Sequence, residues 1–194
     1  MCIRDRFISA VAEPVDFLIR SQKIRLAPIK VIALNRLVVV TQSNVDLTGD
    51  VEWLRGMQRI AIADPDLAPA GSYAKESLKN IGLWTSLNQK IVFAPDVRAT
   101  LNYVKTANVD AAIVYYTDAL SVPALIIHDL IPPDSHRDIV YPVVIPSEGV
   151  KAAKAAHLAE FLQGEFARKM LKKYGFIVPE HDIDTVFPMD RNDD

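Results

Sequence analysis

The sequence is poor in cysteine and in long apolar runs, and it carries no strong excess of one charge. Cys2 is the only cysteine among 194 residues, which excludes an internal disulfide bond and a cysteine-based metal centre. The longest apolar stretch, Val31–Val40, is interrupted by Asn35 and Arg36 and falls short of the roughly 20 apolar residues that a membrane-spanning helix needs. A net charge of −2 and a pI near 6.1 provide no basic field for nucleic acid.

Patterns for catalysis and for metal binding are also missing. Ser72 lacks the GxSxG frame of a nucleophile, so we interpret it as a residue in the first turn of a helix. Asp64 and Asp66 flank Pro65, a spacing that suits a turn better than a pair of metal ligands. No ligand spacing relates the four histidines, which are His128, His136, His157 and His181. We therefore expect neither an enzyme nor a bound cofactor.

What the sequence does contain is an alternation of short apolar strands and helices. With 50% hydrophobic and 24% charged residues, the chain can bury a sizeable core. The predicted strands are Ile29–Thr41, Arg59–Ala63, Lys90–Ala94, Asp110–Tyr115, Ala124–His128 and Ile139–Ile145. The predicted helices are Glu13–Gln22, Asp50–Gly56, Ala70–Ile81, Val97–Thr106, Val150–Gln163 and Glu165–Tyr174. This alternation predicts an α/β fold with parallel-rich sheets flanked by helices.

Two of these helices begin directly after a strand and a turn, an arrangement that can bind an anion. Ala70 follows Pro69 at a helix start, so its N–H is exposed with no bulky side chain in front of it. Asp96 is a good N-cap, which leaves Val97 to offer the first helical N–H of the next helix. The first N–H groups of a helix have no partner within it, and the helix dipole adds positive charge. An oxyanion can therefore be bound there without a cationic side chain.

A third donor candidate is Tyr115, which ends an apolar strand where its phenol can point into a cleft. Each of the three residues also has a purely structural interpretation. Pro-Ala-Gly is in most proteins only a helix start, Val97 suits a core position, and a tyrosine at a strand end is more often a packing group. The functional interpretation is favoured only when the three candidates are taken together.

The order of the motifs resembles that of the periplasmic molybdate-binding proteins of ABC uptake systems. The similarity extends from Phe7 to about Ile177. The matching segments are FISA (Phe7–Ala10), NRLVVV (Asn35–Val40), DPDLAPAGSYAKESL (Asp64–Leu78), PDVRATLNYV (Pro95–Val104), AAIVYYTDA (Ala111–Ala119), DSHRDIVYPVVI (Asp134–Ile145) and KKYGF (Lys172–Phe176).

This resemblance implies a two-lobed, type II periplasmic-binding-protein fold that closes on molybdate or tungstate and delivers it to an ABC permease. It divides the chain into a partial first lobe at 1–42, a second lobe at 43–140, a return to the first lobe at 141–178 and a C-terminal tail at 179–194. Ala70, Val97 and Tyr115 match the family's ligand positions in the motifs PAG, DVR and IVY. The resemblance also implies a periplasmic location and a monomer, with no contact with nucleic acid and only peripheral contact with a membrane complex.

The family's remaining ligands are serine hydroxyls that would precede Phe7. We expect the first six residues to be non-native, and the start of lobe one, with its signal peptide, to be missing. Alternatives are the effector domain of a LysR-type transcription regulator, which shares the two-lobed architecture, and a binding protein for another oxyanion such as sulfate.

Overall fold

The computed structural model describes residues 7–8, 30–42, 51–144 and 152–180. The predicted helix at 13–22 and the tail from residue 181 lie outside the described residues. The chain divides into two compact units. The first unit combines Met1–Leu34 with Ile139–Asp194, and the second is Asn35–Asp138. The chain thus passes between the units at positions 34/35 and 138/139, whereas the sequence-based boundaries are 42/43 and 140/141.

The described strands are, in chain order, β1 (Phe7–Ile8), β2 (Lys30–Asn35), β3 (Leu37–Thr41), β4 (Ile60–Ala63), β5 (Ile91–Ala94), β6 (Ala111–Tyr115), β7 (Ile126–His128) and β8 (Ile139–Val144). The described α-helices are α1 (Pro69–Asn80), α2 (Trp84–Leu87), α3 (Val97–Lys105), α4 (Tyr116–Ala119), α5 (Ala152–Gln163) and α6 (Glu165–Lys173). Short 3₁₀ helices occur at Val51–Gly56, Asn88–Lys90 and Pro133–Ser135. No helix in these ranges has the length and apolar character that crossing a membrane requires.

The second unit is built on a five-stranded sheet with the order β5-β4-β6-β3-β7. Strand β4 is parallel to β5 and to β6, but β3 is antiparallel to β6 and to β7. The sheet is therefore mixed, with parallel pairing from β5 to β6 and antiparallel pairing from β6 to β7. The first residue of β3, Leu37, pairs with the last residue of β6, Tyr115, and the last residue of β3, Thr41, pairs with the first residue of β6, Ala111. Strand β3 therefore runs in the opposite direction to β6.

The single predicted strand at Ile29–Thr41 is two strands that lie in different sheets, with a break at Arg36. The Arg36 carbonyl accepts a hydrogen bond from the Tyr116 N–H at 2.9 Å, and the Arg36 guanidinium lies 3.8 Å from the centre of the Tyr116 ring. The preceding Asn35 donates from Nδ2 to Thr117 Oγ1 at 2.9 Å. These contacts tie the break to the end of β6.

The core of the second unit surrounds its three central strands. Strands β3, β4 and β6 are buried along their whole length, as expected for strands covered on both faces. Helices α1 and α3 both pack on β4 and β6. A cluster of buried side chains joins α3 to the sheet, and its members include Val38, Val40, Ala61, Leu101, Val104, Ala112 and Val114. This packing fixes where α1 and α3 begin relative to the strands that precede them.

The first unit contains a three-stranded sheet with the order β1-β8-β2 and the two helices α5 and α6. The pair β1 and β8 is antiparallel. Leu34 and Ile177 exchange two backbone hydrogen bonds, of 2.7 and 3.0 Å, which attach the segment after α6 to the end of β2. Val143 and Ala159 are buried against Ile32, so α5 covers this sheet.

Candidate functional site

The turn between β4 and α1 is stabilised by Asp64. Its Oδ1 accepts a hydrogen bond from the Asp66 N–H at 2.9 Å, and its carbonyl accepts from the Leu67 and Ala68 N–H groups at 3.1 and 2.8 Å. Ser72 Oγ donates to the Pro65 carbonyl at 2.8 Å. Asp64 and Ser72 thus stabilise a turn and a first helical turn, as the sequence predicts.

Helix α1 begins at this turn and presents an unpaired backbone donor. Pro69 is its first residue, and no side chain caps the helix. The Ala68 carbonyl accepts from the Gly71 and Ser72 N–H groups at 3.0 and 3.4 Å. The Ala70 N–H has no acceptor in the described part of the chain, although the residue is only 1% exposed. The Ala70 N–H is therefore one of the donors at the helix start that the helix's own hydrogen bonds leave unpaired.

Gly71 lets α1 approach the end of β4 closely. A Cβ atom at Gly71 would lie 2.0 Å from the Ala63 carbonyl oxygen and 2.8 Å from the Asp64 carbonyl carbon. Both atoms belong to the backbone and cannot rotate away. The position of Ala70 thus depends on the absence of a side chain at Gly71.

The turn between β5 and α3 repeats the arrangement with a side-chain cap. Asp96 is extended, with φ of −158° and ψ of 175°, and its Oδ1 accepts a hydrogen bond from the Ala99 N–H at 2.8 Å. This confirms that Asp96 is the N-cap. The Val97 side chain packs against the core, while its N–H has no acceptor within the described ranges. Val97 therefore has a side chain that packs in the core and a backbone N–H that is available to donate a hydrogen bond.

Tyr115 ends β6 and is 8% exposed, with a buried hydroxyl oxygen. Its ring meets that of Tyr73 edge-on, with 6.5 Å between the ring centres and an angle of 60°. This contact joins the end of β6 to the first turns of α1.

The sheet brings the three candidate residues to one edge. Strands β5, β4 and β6 are neighbours and run in the same direction, so their carboxyl ends lie side by side. Ala70, Val97 and Tyr115 follow or end these strands. The Asp64 N–H donates to the Ala94 carbonyl at 2.7 Å, which ties the two turns together. Ligands of open α/β sheets bind outside this edge.

The start of α1 contributes positive backbone charge to this edge. The first turn of α1 contains no acidic residue and no side-chain cap, so no charge within that turn offsets the positive end of the helix dipole. Nearby on α4, burial raises the pKa of the Asp118 carboxyl above its ordinary value, while the charge of Arg98 and a hydrogen bond from Thr117 act in the opposite direction. The edge can thus attract an anion without a direct cationic ligand.

Sequence reasoning missed three residues that support this edge: Tyr73, His136 and Arg137. Tyr73 lies one helical turn after Ala70, and its ring contacts His136 and Arg137 as well as Tyr115. The spacing from Ala70 was a usable signal for Tyr73. No local signal brings His136 and Arg137 to it, because they are distant in the sequence.

Two cavities in the described part of the chain lie away from this edge. A cavity of about 360 Å³ is lined by Gln58 and Asp110, at the amino ends of β4 and β6. There Asp110 Oδ2 accepts from the Gln58 and Arg59 N–H groups at 2.7 and 2.9 Å. A second cavity, of about 580 Å³, is lined by residues of α6 in the first unit. Neither of these two cavities is lined by Ala70, Val97 or Tyr115.

The fold agrees with that of solute-binding proteins of known structure. The substrate-binding domain of a provisionally named molybdenum ABC transporter from Clostridium difficile superposes with a TM-score of 0.80. It is 29% identical, and the match covers 91% of this chain and 77% of that one. The fold is the type II periplasmic-binding-protein fold, as predicted. The fold and the edge of the sheet that carries the candidate donors thus define a class of protein, the binding proteins for small solutes.

The chain belongs to the family of bacterial extracellular solute-binding proteins, whose model matches residues 4–177. It is 33% identical over 181 residues to the molybdate-binding protein ModA of Escherichia coli, which covers 90% of this chain and 70% of ModA. It is 37% identical over 173 residues to YvgL of Bacillus subtilis, provisionally named an ABC transporter substrate-binding lipoprotein, and covers 66% of it. The chain thus spans about two thirds of the length of these relatives. The resemblance found in the motifs is confirmed, and the matches do not favour a transcription-regulator effector domain.

Proposed function

We propose that this chain captures molybdate or tungstate and delivers it to an ABC permease. The Ala70 and Val97 N–H groups and the Tyr115 hydroxyl are the donors that this proposal assigns to the anion. The observation that carries it is the pair of helix starts with unpaired N–H groups at one edge of the sheet. The likeness to ModA supports the choice of anion.

Neutral donors are well suited to a tetrahedral dianion. A hydrogen bond to a charged acceptor contributes about 1.5–3 kcal/mol, and several such bonds act on one ion. Backbone N–H groups on packed helices are held in fixed positions, so the distance between them selects for the size of the ion. Sulfate is smaller than molybdate, and a site sized for molybdate leaves sulfate with longer hydrogen bonds.

The same proposal describes where and how the protein acts. It operates outside the cytoplasmic membrane, in the periplasm, as a monomer that catalyses no reaction. The oxyanion is its cargo and not a cofactor. Its macromolecular partner is the permease, and nucleic acid is not a partner. Membership of a family of extracellular solute-binding proteins supports this location and role.

The direct test is an NMR titration of the ¹⁵N-labelled chain with sodium molybdate. Amide resonances report on each N–H separately and detect weak as well as tight binding. We expect the Ala70 and Val97 resonances to show large, saturable shifts, and sodium sulfate to require higher concentrations for the same shifts. Saturable shifts confined to other residues, or none at all, would contradict the proposal.

A variant that removes a single donor sharpens the test. Val97→Pro deletes one N–H at the first position of α3, where proline is tolerated, after the already extended Asp96. The molybdate dissociation constant should rise by about tenfold to a few hundredfold.

The matched control for this variant is Glu165→Pro. Glu165 is the first residue of α6, in the other unit, and it also follows an extended N-cap, Gly164. We expect the control to bind molybdate like the parent. Unchanged affinity in a folded Val97→Pro protein would mean that the start of α3 does not contact the anion.

A further inference from the structure

Tyr73 lies between the candidate site and the segment at the end of the second unit. It is 1% exposed and sits on α1, three residues after Ala70. Its ring meets that of Tyr115 at 6.5 Å and that of His136 at 5.9 Å, in both cases edge-on. The Arg137 guanidinium carbon lies 5.1 Å from the centre of the same ring. The Tyr73 ring is therefore held from several sides.

The segment Ser135–Arg137 is attached to one face of α1. Ser135 Oγ and Ser77 Oγ form a buried hydrogen bond of 2.7 Å, and Asn80 Nδ2 donates to the Ser135 carbonyl at 2.9 Å. Glu76 accepts a hydrogen bond from the Arg137 N–H at 2.9 Å. Asn80 lies three residues after Ser77 and four after Glu76, which places these attachment points on one side of the helix.

The side chains of this segment add to the attachment. The Glu76 carboxylate also lies 3.5 Å from Arg137 Nε. His136 Nδ1 lies 2.8 Å from the Arg137 carbonyl oxygen, and since a carbonyl only accepts, Nδ1 is the donor. This contact fixes the plane of the imidazole ring that faces Tyr73. The chain leaves the second unit two residues later, after Asp138.

We propose that Tyr73 is a positioning residue, which holds the Tyr115 ring in the orientation that binds the anion and which is itself held by the segment Ser135–Arg137. This inference rests on the proposed function. A tyrosine at a strand end can turn about its side-chain torsions, and the edge-on Tyr73 ring restricts that motion. The attachment of Ser135–Arg137 to α1 restricts Tyr73 in turn.

The test compares two substitutions of Tyr73. Tyr73→Leu removes the aromatic edge, and the molybdate dissociation constant should rise by about two- to tenfold. The nuclear Overhauser contacts of the Tyr115 ring protons with side chains other than Tyr73 should change even without ligand, a readout that loss of the Tyr73 ring current alone does not alter. Tyr73→Phe keeps the ring contacts and should restore both the affinity and these Overhauser contacts to near those of the parent.

A purely structural role is tested by Leu78→Ala. Leu78 is fully buried on the same helix, so this substitution also lowers the melting temperature. We expect it to leave the molybdate affinity and the Overhauser contacts of the Tyr115 ring unchanged. Equal losses of affinity in Leu78→Ala and Tyr73→Leu would overturn the proposal, as would a Tyr73→Leu protein with parental affinity and parental Overhauser contacts of the Tyr115 ring.

Arg137→Gln provides a milder variant if Tyr73→Leu does not fold. It removes the guanidinium from the Tyr73 ring and from Glu76 but keeps the aromatic pair, so we expect smaller changes in the same direction. Parental Overhauser contacts of the Tyr115 ring and parental affinity in this variant would then refute the proposal. A parent chain that shows no molybdate-dependent shifts would refute the proposed function instead, and the ligand-free Overhauser contacts of the Tyr115 ring would still decide the positioning role.

Discussion

The close approach of α1 to β4 makes Gly71→Ala the most informative substitution. The new Cβ would lie 2.0 Å from the Ala63 carbonyl oxygen, whereas ordinary contacts begin near 3.4 Å. Alanine favours a helix over glycine by about 1 kcal/mol, but overpacking costs about 1–3 kcal/mol or more. Because the clash is with backbone, the start of α1 must shift outward by an amount on the order of 1 Å.

A 2.0 Å contact with backbone corresponds to the upper part of the overpacking range, about 2–3 kcal/mol, so we expect Gly71→Ala to lower the free energy of unfolding by about 1–2 kcal/mol after the gain in helix propensity is subtracted. At roughly 2–4 °C per kcal/mol for a chain of this size, the melting temperature should fall by about 2–8 °C. The molybdate dissociation constant should also rise, since the shift moves the Ala70 N–H. Differential scanning calorimetry and the amide titration measure the two effects.

The control is Gly56→Ala, since a Cβ at Gly56 meets no atom within 4 Å. We expect its melting temperature to lie close to that of the parent. A Gly71→Ala protein that melts at or above the parental temperature and binds molybdate with parental affinity would refute the argument that the glycine positions the helix start.

Three further substitutions test individual groups. Tyr115→Phe keeps the ring contact with Tyr73 but removes a donor, so calorimetry should show molybdate binding weakened by about tenfold or more, and equal affinity would remove Tyr115 from the site. Burial lowers the pKa of His128 below its ordinary value of 6.5, so the unfolded chain takes up a proton first as the pH falls. The parent should therefore lose more stability than His128→Gln between about pH 7 and 5, and melting temperatures that fall in parallel for the two proteins would contradict this. Burial raises the pKa of the Asp118 carboxyl above 3.8, so its ionised form opposes folding. In urea unfolding, Asp118→Asn should therefore be more stable than the parent at neutral pH and should lose that advantage below about pH 3.8. A variant less stable than the parent at neutral pH would refute the reasoning.

The sequence by itself determined the helix starts and the buried strands. Proline at the first position of α1 and the Asp96 cap of α3 act within one turn of the helix, so their effects can be predicted from neighbouring residues. The buried apolar runs of β4 and β6 likewise indicated strands covered on both faces. The three candidate donors followed from these local patterns and from the order of the motifs, and their contact with an anion stays a prediction.

Only the tertiary structure decided how these elements combine. The break at Arg36 depends on contacts at the end of β6, such as the hydrogen bond between Asn35 and Thr117, which are 82 residues apart. The antiparallel placement of β3, the approach of Gly71 to Ala63, and the contacts of Tyr73 also join distant parts of the chain. Propensities and caps act over one or two turns, whereas these contacts form only when the sheet and helices have packed.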